Sequence, residues 1–349
     1  MKHLCILMSA LLLGCSMSIH AKKSKAVEEG MPESLPMRNL DSVSNPFSDN
    51  PIELHQTLAA PSSEVRTSIA PASAQDINDR MAEGITDSLI RIHKIRIDPE
   101  LKVKEKEIKA LFDTLLTSDT HSEQRLEINN RIFKMFREAL GKKGSFFYPF
   151  DSLKNIGRIY SDDYNLRVYT WCVELEDLNY HFYGFIQDLE TDRIYALEQN
   201  GAVYIPRETQ QILPRRWYGA LYYKIIRLSK GDDMQYIALG WSQPNPNMKM
   251  KVIDVFDFSG DKLMLGGDET FKSYRGKVGR VVFTYCSNLG MTLQYDEKKK
   301  RFVFDHVTPL ADANGNATGC NGPDMSYDEL KKKGKRFILK KDVDMMNEE

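Results

Sequence analysis

The chain has 349 residues, 42% of them hydrophobic and 28% charged, with a net charge of −1. That is an ordinary globular composition, long enough for one large or two small cores. Without a basic surplus there is no nucleic-acid footprint, and no nucleic-acid partner is expected.

The N-terminus carries an export pattern. Lys2 supplies a short positive region, and Leu4 to Leu13 form an apolar run too short to span a bilayer. Two exits are open. Leu12-Leu13-Gly14-Cys15 resembles a bacterial lipobox in which Cys15 is lipidated, and Ile19-His20-Ala21 offers a small-residue cleavage site before Lys22. The expected location is the periplasm, or the outer membrane by way of a lipid anchor; no other membrane contact is expected. Residues 22–75 are rich in Pro, Ser, Glu and Ala, with Phe47 the one aromatic side chain. Such a segment buries too little apolar surface to offset its ordering entropy and reads as a disordered tether.

Residues 76–143 read as helical. Ile77, Met81, Ile85, Leu89 and Ile92 recur at helical spacing from Asp76 to Lys94. Asp98-Pro99-Glu100 opens a second helix with Ile108, Leu111, Phe112 and Leu115 on one face. Thr120-His121-Ser122-Glu123 has capping-box spacing, and Leu126, Ile132, Phe133, Phe136 and Leu140 then share a stripe that stops at Gly141.

From residue 144 to 341 the pattern is β, before a short frayed tail over 342–349. Strands are predicted at Leu166–Cys172, Tyr180–Ile186, Arg193–Leu197, Leu221–Leu228, Gln235–Trp241, Lys249–Phe258, Val281–Tyr285, Met291–Tyr295, Phe302–Asp305 and Arg336–Leu339. Asn200-Gly201 signals a hairpin into Ala202–Ile205. Lys230 to Asp233 reads as a turn, and Ser242 to Asn247, with two prolines and two asparagines, as a surface loop. Lys249, Lys251 and Asp254 are expected to face water. Ser326–Lys333 reads as a short helix. Lys298–Lys300 and Lys331–Lys333 read as solvated turns. Tyr180, Gly184 and Gln187 are echoed by Tyr236, Gly240 and Gln243, the pattern of two related hairpins. The predicted fold class is α+β, with N-terminal helices followed by a large antiparallel, meander-like curled sheet or incomplete barrel.

Phe147-Tyr-Pro-Phe-Asp151, Arg167-Val-Tyr-Thr-Trp171, Trp217 to Tyr223, Tyr236 to Trp241 and Gly322-Pro-Asp-Met-Ser-Tyr327 together resemble a group of uncharacterised exported proteins of Bacteroidetes. The resemblance implies a Gram-negative envelope and brings no activity, cofactor or catalytic residue. In that phylum Asp-Ser/Thr before an aliphatic residue resembles an O-glycosylation site, which makes Ser42 in the tether a candidate.

No nucleophile elbow, zinc helix, phosphate loop or dinucleotide fingerprint is present. Past the leader the cysteines are Cys172, Cys286 and Cys320, with no C-x-x-C and no assigned pairing. Cys286 with His306 is a weak nucleophile–base candidate beside the blander roles of core cysteine and surface histidine. Asp312-Ala-Asn314-Gly-Asn316 has calcium-loop spacing but Pro323 stands where a bidentate Glu is needed. Asp162-Asp163, Glu174 with Glu176, and Asp232-Asp233 fall at predicted turns. No catalytic residue, metal or cofactor is assigned. The expected function is a non-catalytic binding or assembly module for an envelope protein or glycan, with Trp241, Asn245 and Asn247 as binding candidates. An envelope glycan hydrolase and a carrier of an apolar ligand are the alternatives.

Overall fold

The computed structural model describes residues 52–53, 96–117, 121–228, 234–260, 262–311 and 317–344. The leader with Cys15, Ser42, the helix expected over 76–94, the turns at 229–233 and 312–316, and the end of the tail lie outside the described residues. Within the stretch expected as tether, Ile52–Glu53 forms a short strand, β1, beside Ile194 and Arg193.

Helices α1 (Glu100–Thr117) and α2 (Ser122–Leu140) open the body. Asp98 caps α1, its Oδ1 accepting the Glu100 N–H at 2.9 Å. Helix α2 has His121 at its N-cap, without a side-chain cap, so the capping-box spacing is not used. Ser122 Oγ is engaged instead by the backbone N–H of Glu176 at 2.9 Å. The Gly141 N–H closes α2 on Arg137 O.

The strands divide among three sheets rather than one, with no closed barrel. Sheet 1 holds β1, β2 (Gly157–Tyr160), β3 (Leu166–Glu174), β4 (Tyr180–Asp188) and β5 (Arg193–Glu198), in the order β1-β5-β4-β3-β2. Sheet 2 holds β6 (Leu221–Arg227), β7 (Gln235–Asn245), β8 (Met248–Asp257) and β12 (Val281–Cys286), in the order β12-β8-β7-β6, with β9 (Met264–Leu265) on the end of β8. Sheet 3 holds β10 (Phe271–Ser273), β11 (Gly276–Val278), β13 (Leu293–Asp296), β14 (Arg301–Ala311), β15 (Ala317–Lys333) and β16 (Arg336–Lys340), in the order β11-β10-β16-β15-β14-β13. Each sheet contains a run of sequence-consecutive antiparallel neighbours, so the meander recurs three times. The pairing of β10 with β16 is parallel.

Three cores stack these sheets into layers. Phe112, Ile132, Phe133 and Phe136 of the helices pack on Tyr169, Trp171, Tyr183 and Phe185, one face of sheet 1. Its other face, with Leu166, Val168, Phe182 and Ile186, meets Tyr222, Tyr236, Val252 and Phe256 of sheet 2. The far face of sheet 2, with Ile226, Ile237, Leu239, Ile253 and Val255, meets Phe271, Phe302, Phe304, Leu330 and Phe337 of sheet 3. The order is helices, sheet 1, sheet 2, sheet 3. Strands β7 and β8 are buried on both faces, which is why Tyr236 to Trp241 reads as a near-continuous apolar run.

The echoed residues occupy matching places. β4 and β7 are each the middle strand of a three-strand meander, and Gly184 and Gly240 each receive a neighbouring side chain. A Cβ on Gly184 would lie 2.7 Å from Tyr169 O, and one on Gly240 3.0 Å from the Tyr222 ring.

Several expectations fail for identifiable reasons. Asn200-Gly201 does turn, with Gly201 at φ 85, but no strand follows. Gln199 forms a parallel bridge with Trp217 and uses its side chain on the Phe182 N–H and Gly201 O, which diverts the chain. Residues Ser326–Lys333 are extended within β15, because β14 and β16 pair on both sides; Lys331–Lys333 is therefore strand. Of the expected loop, Ser242 and Gln243 are buried in β7, leaving only a tight turn before β8. Asp254 is fully buried, and Lys251 packs with its ammonium 4.6 Å from the Tyr223 ring centre.

Candidate functional site

The most irregular feature of sheet 3 is a bulge in β15. Asp305 pairs with Tyr327 and Val307 with Pro323, so His306 on β14 stands against three residues, Asp324, Met325 and Ser326. The sequence explains it. Pro323 has no N–H for the ladder, and Asp324 Oδ1 takes both the Ser326 N–H at 3.1 Å and its hydroxyl at 2.7 Å. Met325 then adopts φ 71 at the apex and is 95% exposed. Bulges of this kind re-aim side chains beside functional sites.

Beneath the bulge lies an ionic cluster. The inward positions of β14 and β15 run Phe302, Phe304, then His306, and Leu330, then Asp328. His306 Nδ1 meets Asp328 Oδ2 at 2.6 Å, and the Tyr274 hydroxyl, from the β10–β11 turn, donates to the same carboxylate. Tyr274 Oη also lies 3.1 Å from His306 Nδ1. Burial pushes the Asp328 carboxyl above its usual range, and the Asp342 N–H, at 2.9 Å from Oδ1, pulls the other way. Lys341 sits over the Tyr274 ring at 5.2 Å. With Nδ1 turned to Asp328, the Nε2 edge of His306 is left for a partner. Tyr274, Met325 and Tyr327 are all exposed, with Tyr274 42% and Tyr327 39% accessible. The cluster contains a carboxylate, an imidazole and a phenol, with the Ser326 hydroxyl of the bulge turned to Asp324. These groups hold an exposed apolar and aromatic surface from below.

The residues picked from sequence are scattered. Trp241 is half-buried with its ring 6.4 Å from Phe182, in a packing role. Asn245 and Asn247 are exposed at the β7–β8 turn, where Asn245 Oδ1 accepts the Asn247 N–H at 3.0 Å. Asn247 O in turn accepts the Ser287 N–H. Cys286 is joined to Cys320 in a disulfide, which removes it as a nucleophile, while His306 turns to Asp328. Cys172 lies outside the disulfide. Tyr274 and Asp328 carried no sequence signal of their own, although Met325 and Tyr327 belong to the Gly322–Tyr327 stretch singled out above.

Of the paired carboxylates, Asp162 and Asp163 are engaged in structure. Asp162 accepts the Arg227 N–H, and Asp163 binds the Arg227 guanidinium at 2.6 Å and the Tyr236 hydroxyl at 3.1 Å. A cleft of about 310 Å³ between the end of α2 and the β4–β5 turn is lined by Asp98, Asp188 and Asp192. Asp98 caps α1 there, and Asp188 accepts two backbone N–H groups and the Thr191 hydroxyl of its own turn. Burial raises the Asp188 and Asp192 carboxyls. A second depression of about 330 Å³ is lined by Asn200, Tyr204, Gln210, Ile212 and Arg216. Both set charged and amide groups beside apolar ones, Phe146, Phe147 and Leu189 in the first and Tyr204 and Ile212 in the second. Among the described residues no three His, Cys, Asp or Glu side chains gather to hold a metal ion, and no helix is long and apolar enough to cross a membrane.

No protein family, no curated protein and no solved structure matches the chain.

Proposed function

We propose that the protein is a non-catalytic cell-envelope binding or assembly module, presented on the 22–75 segment, that recognises an envelope protein through the Met325 bulge. The observation that carries this reading is a filled three-core interior combined with an exposed Met–Tyr–Tyr surface. Methionine and tyrosine are enriched at protein interfaces, and a buried aspartate that fixes one of the tyrosines lowers the ordering cost of binding. The leader supports an exported location. The Cys286–Cys320 disulfide fits it too, since such bonds persist in oxidising compartments. The overall sequence pattern supports a Bacteroidetes envelope.

Two measurements test this. A photo-crosslinking residue at position 325, introduced in the native host, should give a discrete protein adduct that position 154, exposed near β2, does not. Identical patterns from both positions, or none from 325, would reject the site. Mass analysis of the mature chain should find either a lipid on Cys15 or a start at Lys22; an intact Met1 rejects export.

A further inference from the structure

The near-neutral net charge conceals a segregation of charge on sheet 3. Phe271, Phe337 and Leu330 turn inward to the third core, so the alternate positions of β10, β15 and β16 form the outer face. Strand register sets Lys277, Lys272, Ile338 and Lys331 side by side across four neighbouring strands. In the adjoining rows Lys333 stands opposite Arg336, and Lys340 opposite Glu329. Every one of these lysines is exposed. Glu269 answers Lys277 at 3.0 Å and Arg336 at 2.8 Å, and Glu329 is buried against Arg301 at 2.6 Å. Lys272, Lys331, Lys333 and Lys340 have no carboxylate partner among the described residues.

Two of these cross-strand pairs, Lys272 with Lys277 and Lys333 with Arg336, are like charges placed directly opposite each other, an arrangement that weakens a sheet. Folding gains nothing from it; an anionic partner does. The face belongs to an outer layer, and neither of the two clefts described above is lined by any of its residues. Its unanswered cations are all lysines, which act as mobile point charges, without the bidentate fork that arginine offers a single phosphate or base. Tyr327 lies on the same side of β15, with Met325 just beyond it, and aromatic side chains favour the headgroup region of a bilayer.

We propose that this face docks on a membrane surface rich in anionic phosphate headgroups. The docking does not depend on the protein partner proposed for the Met325 bulge, and it adds to whatever the N-terminus contributes. Each lysine close to such a surface contributes roughly fivefold in affinity.

The test is co-flotation of the full chain with vesicles of phosphatidylcholine containing roughly one-third phosphatidylglycerol, against phosphatidylcholine alone. The leader and tether are present in both arms. Binding should be more than about tenfold tighter to the anionic vesicles and should weaken as salt rises. The quartet Lys272→Ala, Lys331→Ala, Lys333→Ala, Lys340→Ala should lose about 100-fold or more of that binding. The corresponding Lys→Arg quartet should retain it, and thermal melts check that both quartets fold. Equal binding to both vesicle types, or an alanine quartet that still discriminates between them, overturns the proposal. So does tighter binding of a single-stranded oligonucleotide that the alanine quartet abolishes, which would assign the face to a polyanionic polymer.

Discussion

Arg280 and Asp254 form an ion pair at zero solvent exposure, with Arg280 Nε 3.0 Å from Asp254 Oδ1. Nη1 of the same arginine donates to Arg207 O and Gln210 O, and the Tyr218 hydroxyl donates to Asp254 Oδ2 at 2.8 Å. Nearly every lone pair and proton of the pair is used, which is the condition under which a buried pair offsets its desolvation. Arg280→Met strands the carboxylate and should cost about 3–5 kcal/mol in urea unfolding. The double variant Asp254→Asn, Arg280→Met should recover part of that loss. A single variant within about 0.5 kcal/mol of the wild type would show that water reaches the site.

Lys251 gives stability a pH dependence. Burial lowers its ammonium to about 8, against the partial support of the Asp305 charge. In the unfolded chain the group titrates near its ordinary value, so between about pH 8 and 10.5 the unfolded state binds more protons. Stability should therefore rise with pH across that window relative to Lys251→Met, by on the order of 1–3 kcal/mol. Below pH 8 both states are protonated and the penalty is fully present. Parallel melting curves for the two proteins from pH 7 to 10.5 would contradict the burial.

Ile226 and Leu239 are 6% and 1% exposed in the third core. Truncating either to Ala should cost about 2–5 kcal/mol. Asn245→Ser with Asn247→Ser, at the exposed turn, should change stability by about 0.5 kcal/mol or less. Equal effects in chemical denaturation would misplace the boundary between strand and turn.

Gly184→Ala places a methyl against Tyr169 O, a backbone atom that can shift only with its strand. A loss of about 1–3 kcal/mol is expected. Gly201→Ala meets no atom within 4 Å but carries φ 85, so its smaller cost, about 1 kcal/mol, is conformational alone. Calorimetric melts that reverse this order would refute the packing argument.

The Cys286–Cys320 bond spans 34 residues of chain. Replacing both with Ser should cost about 4 kcal/mol through the unfolded state, and added reductant should then have no further effect on the melt.

The helices and most strands were legible because their periodicity is strong. Phe112, Phe133 and Phe136 repeat at helical spacing, and β3, β4, β7 and β8 are dense in aromatic and β-branched residues. Strands β2, β9, β10 and β11 are too short to carry a pattern. β15 misleads because Ser-Tyr-Asp-Glu-Leu-Lys-Lys-Lys suits a helix locally, while pairing with β14 and β16 overrides that preference. Of the Tyr274–His306–Asp328 cluster, His306 alone stood out in the sequence, and as a partner for Cys286. The cluster's members come from three segments of the chain that only the register of sheet 3 brings together, whereas Trp241, noticed beside the 242–247 stretch, lies half-buried against Phe182.

The order of layers has a consequence for how the chain is made. Helices, first sheet, second sheet and third sheet follow one another along the sequence, apart from β1, which precedes the helices and joins the first sheet, and β12, which returns to the second sheet after β10 and β11 are laid down. A polypeptide emerging N-terminus first can therefore deposit each layer on the one before it, with neighbouring strands already adjacent in time. The second sheet waits with one apolar face open until the last quarter of the chain arrives. Until then Ile237, Leu239 and Ile253 are what a chaperone would have to cover.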